Sequence, residues 1–162
     1  MRSAHRSMAI LPLLTALCLV GCAEPTEQPL VFNHKVHKEA EIDCSACHEY
    51  FQNATYSGIP TTETCTLCHE GDGQAPELQR LAQYVSAGEE IPWKRLYGVP
   101  EHVYYSHRRH VVSAKIACAE CHGAIGECAE PPKYPLVNQS MQWCIACHEK
   151  RGASTDCVHC HR

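Results

Sequence analysis

The sequence carries five copies of a short motif in which two cysteines are separated by two residues and followed at once by a histidine. The copies are Cys44–His48, Cys65–His69, Cys118–His122, Cys144–His148 and Cys157–His161. They use ten of the 13 cysteines and five of the 12 histidines. Cysteine at this abundance in a chain of 162 residues indicates a disulfide scaffold, zinc sites or attachment of haem.

The histidine that follows each cysteine pair distinguishes these alternatives. Zinc ribbons and thioredoxin-like sites also use Cys-x-x-Cys, but neither they nor a disulfide scaffold require that histidine. Two thiols at this spacing can bond to both vinyl groups of one porphyrin edge, and the next residue then reaches the iron. We therefore predict five covalently bound haem c groups. The attachment cysteines are Cys44, Cys47, Cys65, Cys68, Cys118, Cys121, Cys144, Cys147, Cys157 and Cys160, and the proximal metal ligands are His48, His69, His122, His148 and His161.

The sixth ligand of each iron must come from elsewhere in the chain. Apart from His5 near the N-terminus, six histidines remain, and His159 lies inside the last motif, where we expect a bystander. The predicted distal metal ligands are therefore His34, His37, His102, His107 and His110. For His102, a surface or propionate-binding role is the alternative. Met141 could also bind an iron, although we favour packing against a porphyrin face.

Four of these histidines form two His-x-x-His pairs, His34 with His37 and His107 with His110. Residues three apart lie on one side of a helical turn, so the members of a pair cannot easily bind one iron from opposite faces. Each pair should instead bind two different haems and hold them close together. With only two Phe and two Trp, the chain needs porphyrin faces as its core, and we expect it to be largely unfolded without them. We expect Cys128 to be a free or buried thiol with no role.

An internal repeat underlies this arrangement. Phe32–His37 precedes the first motif much as Tyr105–His110 precedes the third, and a further motif follows each. We predict a compact multihaem cytochrome c fold, mostly irregular with short α-helices, with a haem core and two related halves; the fifth motif is an addition. Residues 76–85 have helical spacing, and no convincing run of alternating strands is found.

The N-terminus predicts export. Arg2 and Arg6 precede an apolar run from Met8 to Val20, which is shorter than the roughly 20 residues needed to span a bilayer. The end of this run, Leu19–Cys22, resembles the lipobox of bacterial lipoproteins. We predict a signal peptide at 1–21, lipid attachment at Cys22, a tether at 22–30 and a pentahaem domain at 31–162, on the periplasmic side of a bacterial membrane. An ordinary signal peptide or an uncleaved anchor is the alternative.

The charge limits the choice of partner. From Cys22 onwards the chain has 12 Lys and Arg against 18 Asp and Glu, a net charge of −6. Nucleic acid and anionic surfaces are therefore disfavoured, and a basic patch on a redox partner is favoured.

The His-x-x-His segment ahead of a motif resembles the class III multihaem cytochromes c. Further stretches are similar, in the same order, to the pentahaem cytochrome subunit of alternative complex III and its relatives; they are Phe32–His34, Ser57–Pro60, Pro92–Arg95, Pro100–His107 and Met141–Cys144. The resemblance implies periplasmic electron transfer with quinol-linked membrane enzymes. It also implies bis-His ligation at His34, His37, His107 and His110.

Three functions remain open at this point. The leading one is a carrier without catalytic residues, which passes electrons between a membrane quinol-linked redox complex and a downstream acceptor such as another cytochrome. The second is a haem-based reductase with one open-coordination haem, which requires that His102 is not a ligand. The third is a subunit of a haem filament.

Overall fold

The computed structural model describes residues 24–69 and 73–162, which form short helices joined by irregular loops. The α-helices are α1 (His34–Glu39), α2 (Thr62–Thr66), α3 (Pro76–Ala87), α4 (Cys118–His122), α5 (Met141–Arg151) and α6 (Cys157–Cys160). There are also 3₁₀ turns at Cys44–Ala46, Glu49–Gln52 and Ile125–Glu127, and a π-helix at Arg108–Ser113. Strand pairing in the described residues is confined to one antiparallel bridge, Val103 with His161. The predicted fold class of short helices in a mostly irregular chain is confirmed.

The predicted signal peptide and the lipid-attachment residue Cys22 lie outside the described residues. Within 24–69 and 73–162, none of the helices has both the length and the apolar character needed to cross a bilayer.

Local sequence signals set the two ends of the helix that apolar spacing predicted at 76–85. Helix α3 begins with Pro76, whose fixed φ suits the first helical position, and Glu77 follows in the first turn. It ends at Gly88, which adopts the left-handed conformation with φ 65°. The prediction of this helix is confirmed, with two further residues at its C-terminal end.

All five cysteine motifs lie on helical turns, and several of these turns have capping side chains. Asp43 accepts a hydrogen bond from the Ser45 amide at 2.8 Å ahead of the first motif. Thr61 caps α2, and Ser140 accepts from the Trp143 amide at 3.2 Å at the start of α5. Because capping satisfies amides that a helix start leaves unpaired, it stabilises turns too short to be stable alone.

The apolar core of the polypeptide is small. Four hydrophobic side chains are buried among the described residues: Leu30, Leu81, Ile91 and Ile116. The first three form one cluster, against which Cys65 of the second motif is packed. A core of this size cannot by itself stabilise a domain of this length, which agrees with the expectation that porphyrin faces supply the rest.

Next to this cluster, Thr62 is the buried polar residue of the described chain, with 7% of its surface exposed. Its hydroxyl donates to the Glu89 carbonyl at 3.0 Å and accepts from the Ile91 amide at 3.0 Å. The Thr62 amide in turn donates to the Glu90 carboxylate at 2.8 Å. These bonds attach α2, and with it the second motif, to the segment after α3.

Thr62→Val keeps the side-chain shape but leaves the buried Ile91 amide without its acceptor. We expect the free energy of unfolding of the haem-loaded protein to fall by about 1–3 kcal/mol, measured by guanidinium titration. Ser86→Ala is the matched control, because the exposed Ser86 hydroxyl donates only to the Gln83 carbonyl at 3.0 Å. A loss of the same size in both variants would contradict this role of Thr62.

Candidate functional site

In the described residues 24–69 and 73–162, the ten motif cysteines and Cys128 form no disulfide bonds. The first cysteine of every motif except the second is exposed, and the second cysteine of every motif except the second is half-buried. Burial raises the pKa of the thiols of Cys47, Cys65, Cys118, Cys121 and Cys144.

Four of the five histidines that close a motif lie opposite a histidine predicted as a distal ligand. The ring centres of these pairs are 6.1 Å apart (His37 and His69), 6.4 Å apart (His107 and His122), 6.1 Å apart (His110 and His148) and 5.5 Å apart (His102 and His161). His34, the remaining predicted distal ligand, lies near enough to His48 for the charge on one ring to affect the other. Two imidazoles on opposite sides of one metal ion, with metal–nitrogen bonds of about 2.0 Å, have ring centres about 6 Å apart. The spacing therefore fits one iron between the rings of each of the four pairs.

Backbone carbonyls orient five of these ten rings. The Nδ1 atoms donate to carbonyls at 2.7–2.8 Å, in the pairs His37 with Asn33, His48 with Gly58, His107 with Thr55, His110 with Ser106 and His148 with Ser154. Because a carbonyl oxygen only accepts, Nδ1 must carry the proton in each ring. In the neutral form of such a ring, the other nitrogen, Nε2, is the one available to bind a metal.

His159 has different surroundings, although it lies inside the fifth motif. Its Nδ1 meets the Ser154 hydroxyl at 2.6 Å and lies 3.5 Å from the Asp156 carboxylate. No other histidine ring of the described residues stacks on it, whereas His102 stacks on His161 with 19° between the ring planes. The bond from the Arg162 amide to the His102 carbonyl, at 3.1 Å, also ties these two segments together.

The two His-x-x-His segments share one local geometry. Phe32 meets His34 edge-on at 4.7 Å and stacks on His37 at 4.4 Å. In the second segment Tyr105 meets His107 edge-on at 4.9 Å and stacks on His110 at 4.8 Å. In both segments one aromatic ring therefore fixes the orientation of both imidazoles. That the two halves are related as whole units stays a prediction.

Burial keeps several of these groups uncharged. It lowers the pKa of His34 to about 4, with a smaller contribution from the nearby His48. It also lowers the pKa of His122 and raises the pKa of Tyr105 to about 12. Neutral imidazole is the form that binds a metal, so burial and the carbonyl partners favour the same state.

Haem fits this donor set. Each thiol pair is followed by an imidazole, and four of these imidazoles have a second one at a separation that suits one iron. Paired thiols beside paired imidazoles are the donors that covalent haem requires.

Other residues singled out from the sequence lie away from the imidazole pairs. Met141 is the first residue of α5 and is exposed. Cys128 donates weakly to the Ala124 carbonyl at 3.9 Å, and its own carbonyl accepts from the Lys35 amide at 3.1 Å. Cys128 therefore helps to hold α1 against the Ile125–Glu127 turn through its backbone.

Sequence reasoning missed the residues that orient the rings, among them Thr55, Gly58 and Ser154. They act through carbonyl groups, which every residue type possesses, so their side chains gave no signal. Gly58 is the exception, because it has φ +89° and belongs to the stretch Ser57–Pro60 that carried the family resemblance. Tyr97 was also missed: its ring lies 4.5 Å from that of His122, and its hydroxyl donates to the His122 carbonyl at 3.3 Å.

Comparison with known proteins gave two families and two relatives. Residues 103–162 match the family described as cytochrome c7 and related cytochrome c, and residues 19–91 match the class III cytochrome C family. The chain is 29% identical to the multiheme cytochrome c subunit of menaquinone reductase from Nitratidesulfovibrio vulgaris, covering 84% of this chain and 77% of the relative. It is 24% identical to the nine-heme cytochrome c of Desulfovibrio desulfuricans, covering 75% of this chain and 31% of that protein.

Gly58→Ala tests the backbone around His48. A Cβ at this position would lie 2.7 Å from Cδ2 of Tyr50, and φ +89° is strained for alanine, a cost of about 1–3 kcal/mol. We expect lower stability in guanidinium and a shift in the electron paramagnetic resonance signal of one low-spin haem, since the carbonyl that orients His48 moves. Gly98→Ala, where no atom lies within 4 Å of the new Cβ, should change neither; unchanged spectra in both variants would refute the role of this carbonyl.

Proposed function

Because the chain belongs to the class III and cytochrome c7 type of multihaem cytochromes c, we propose that it is an electron carrier that serves a membrane quinone-linked redox complex. It would exchange electrons between that complex and a downstream acceptor on the periplasmic side of the membrane. Covalent haem c is the cofactor of these families, and we propose that this chain holds five.

One observation carries the proposal: four of the five motif histidines have a second imidazole opposite them. The pairs that would each hold one haem iron are His69 with His37, His122 with His107, His148 with His110 and His161 with His102, and we propose His48 with His34 as the fifth. An iron held by two imidazoles would have no position open for a substrate, so its chemistry would be one-electron transfer.

The chain's own residues supply attachment, orientation and burial. The ten motif cysteines would form the thioether bonds, and the carbonyls that accept from Nδ1 hold the rings in one tautomer before and after the redox change. Phe32 and Tyr105 restrict rotation of four distal rings at once. Haem, when bound, supplies the one-electron change at iron. Rigidly held ligands lower the reorganisation energy of that electron transfer.

The proposed link to a quinone pool is based on the similarity to the menaquinone reductase subunit. The negative charge of the mature chain supports a protein partner with basic surface, and disfavours nucleic acid. The competing function, a reductase with an open haem, requires that His102 leaves the iron at His161.

Spectroscopy of the haem-loaded protein separates these functions. A carrier with five bis-imidazole haems should show low-spin ferric signals alone and no rapid binding of carbon monoxide after reduction. His102→Ala should convert one haem in five to the high-spin form, whereas His159→Ala should leave all five low-spin. Mass spectrometry of both variants should still give the polypeptide plus five haems, because attachment depends on the cysteines.

A high-spin signal in the unaltered protein would contradict the carrier and favour the reductase. A mass with four haems or fewer would overturn the count. Conversion of a haem by His159→Ala but not by His102→Ala would show that the distal ligand of the fifth motif has been assigned to the wrong histidine.

We also propose that lipid at Cys22 holds the protein at the membrane. Cys22→Ser, expressed behind an ordinary secretory signal whose cleavage does not depend on Cys22, should then release the haem-loaded protein into the soluble periplasmic fraction, because a cleaved signal without lipid removes the proposed anchor. Membrane and soluble fractions compared by haem staining provide the measurement, with Cys128→Ser as the matched control that stays at the membrane. Retention of the Cys22→Ser protein in detergent-free membranes washed with salt would refute lipid anchoring.

A further inference from the structure

The order of the motifs in space differs from their order in the sequence. His34 and His37 lie on α1 and face the first and second motifs, and Cys47 of the first lies close to Cys68 of the second. His107 and His110 likewise connect the third and fourth motifs, where Cys121 lies close to Cys147. In addition, Arg151 after the fourth motif forms an ion pair at 2.8 Å with Glu120 of the third.

The remaining neighbours join these pairs into one row. The thiols of Cys44 and Cys118, from the first and third motifs, lie close together. The His107 ring reaches across the same junction and donates to the Thr55 carbonyl at 2.7 Å. At the other side, Cys144 of the fourth motif lies close to Cys160 of the fifth. The row is therefore second, first, third, fourth and fifth motif.

Among the contacts between motifs in residues 24–69 and 73–162, the second and fifth motifs each have one neighbouring motif and the other three have two, which makes these two the ends of the row. The ends also carry the most exposed large hydrophobic side chains of the described residues, Leu67 and Val158, each 77% exposed. Both lie between the two cysteines of their motif. The corresponding Ile145 of the fourth motif is half-buried. An apolar side chain exposed beside a haem attachment is a feature expected where a redox partner makes contact.

Charge distinguishes the two ends. Residues 22–91, which contain the first and second motifs with their distal histidines, carry 12 acidic and 3 basic side chains. Residues 92–162, which contain the other three motifs, carry 6 acidic and 9 basic side chains. Exposed Glu63 lies on α2 beside the second motif, and exposed Glu89 lies next to Thr62 at the start of that helix.

We propose that electrons are exchanged at the ends of this row, and that the surface around Leu67 at the second motif docks a redox protein with a basic surface. This inference rests on the proposed carrier function and adds the point of contact and the kind of partner. The apolar Leu67 supplies the centre of the contact, and the surrounding negative charge attracts and orients the partner.

The test uses the dithionite-reduced, haem-loaded protein and, as probe, an oxidised monohaem cytochrome c of net positive charge. In each encounter one electron leaves a ferrous iron of this chain, which becomes ferric, and the ferric iron of the probe becomes ferrous. Stopped-flow absorbance gives the second-order rate constant. We expect this rate constant to fall as salt concentration rises, because salt screens the attraction.

Leu67→Arg should slow this reaction by about tenfold, since it removes the apolar contact and repels the basic probe. Leu136→Arg is the matched control: it makes the same change at an exposed leucine outside the motifs, and should alter the rate by less than about twofold. Leu67→Gln, which adds no charge, should give an intermediate rate. Low-spin spectra and unchanged reduction by dithionite would show that each variant is intact.

The outcomes separate the two proposals. Equal rates for Leu67→Arg and the unaltered protein, or equal slowing by Leu136→Arg, would overturn the docking surface and leave the carrier function intact. If the unaltered reduced protein passes no electron to this probe or to an acidic ferredoxin, the carrier function itself fails. A rate that rises with salt would overturn the choice of a basic partner.

Discussion

Two imidazole rings must face each other with their centres about 6 Å apart and their Nδ1 protons directed away, and much of this structure follows from that requirement. A ring keeps this orientation only if something accepts its Nδ1 proton, and here backbone carbonyls do so for five rings. The loops that contain Thr55, Gly58 and Ser154 are irregular because their carbonyls must turn towards a ring rather than continue a helix. Irregular backbone in this chain is therefore a consequence of ligand geometry.

The same requirement explains how a chain with so few buried side chains holds a defined shape. The cluster of Leu30, Leu81 and Ile91 supports α3 and the second motif, but the segment from α4 onward has no comparable cluster in the described residues. Helices of four to six residues are unstable in isolation because nucleation is costly. Caps and ion pairs such as Arg151 with Glu120 contribute to their order, and we expect cofactor bonded through thiols and imidazoles to contribute most. Cofactor attachment and folding would then be coupled in this protein.

The sequence was sufficient for the features with a local cause. Apolar spacing at 76–85 predicted α3, which the structure confirms with two further residues. The five distal histidines were proposed because they were almost the only candidates, and their role as ligands stays a prediction. The pairing could not be predicted, since His102 and His161 are 59 positions apart and meet through a bridge between otherwise irregular segments. The carbonyl groups that accept from these rings could not be predicted either, because every residue type has a backbone carbonyl. The π-helix at Arg108–Ser113 also escaped prediction, as its wider turn has no distinct pattern.

Two His-x-x-His segments with the same geometry explain why the spatial order of the motifs departs from the order in the chain. Each segment forms one unit with the two motifs that follow it, and its second histidine lies opposite the later of these motifs. That the two units arose by duplication stays a prediction. If the units were joined end to end in chain order, the second motif would meet the third. Instead the first motif lies next to the third, at Cys44 and Cys118. The two units therefore contact each other through the first motif of each. This junction places the second motif at one end of the row, within the acidic part of the chain. The far side of the fourth motif is then the place where the added fifth motif packs. For the proposed carrier, the predicted duplication of one unit, a junction at the two first motifs and one added motif would together give the row two chemically different ends.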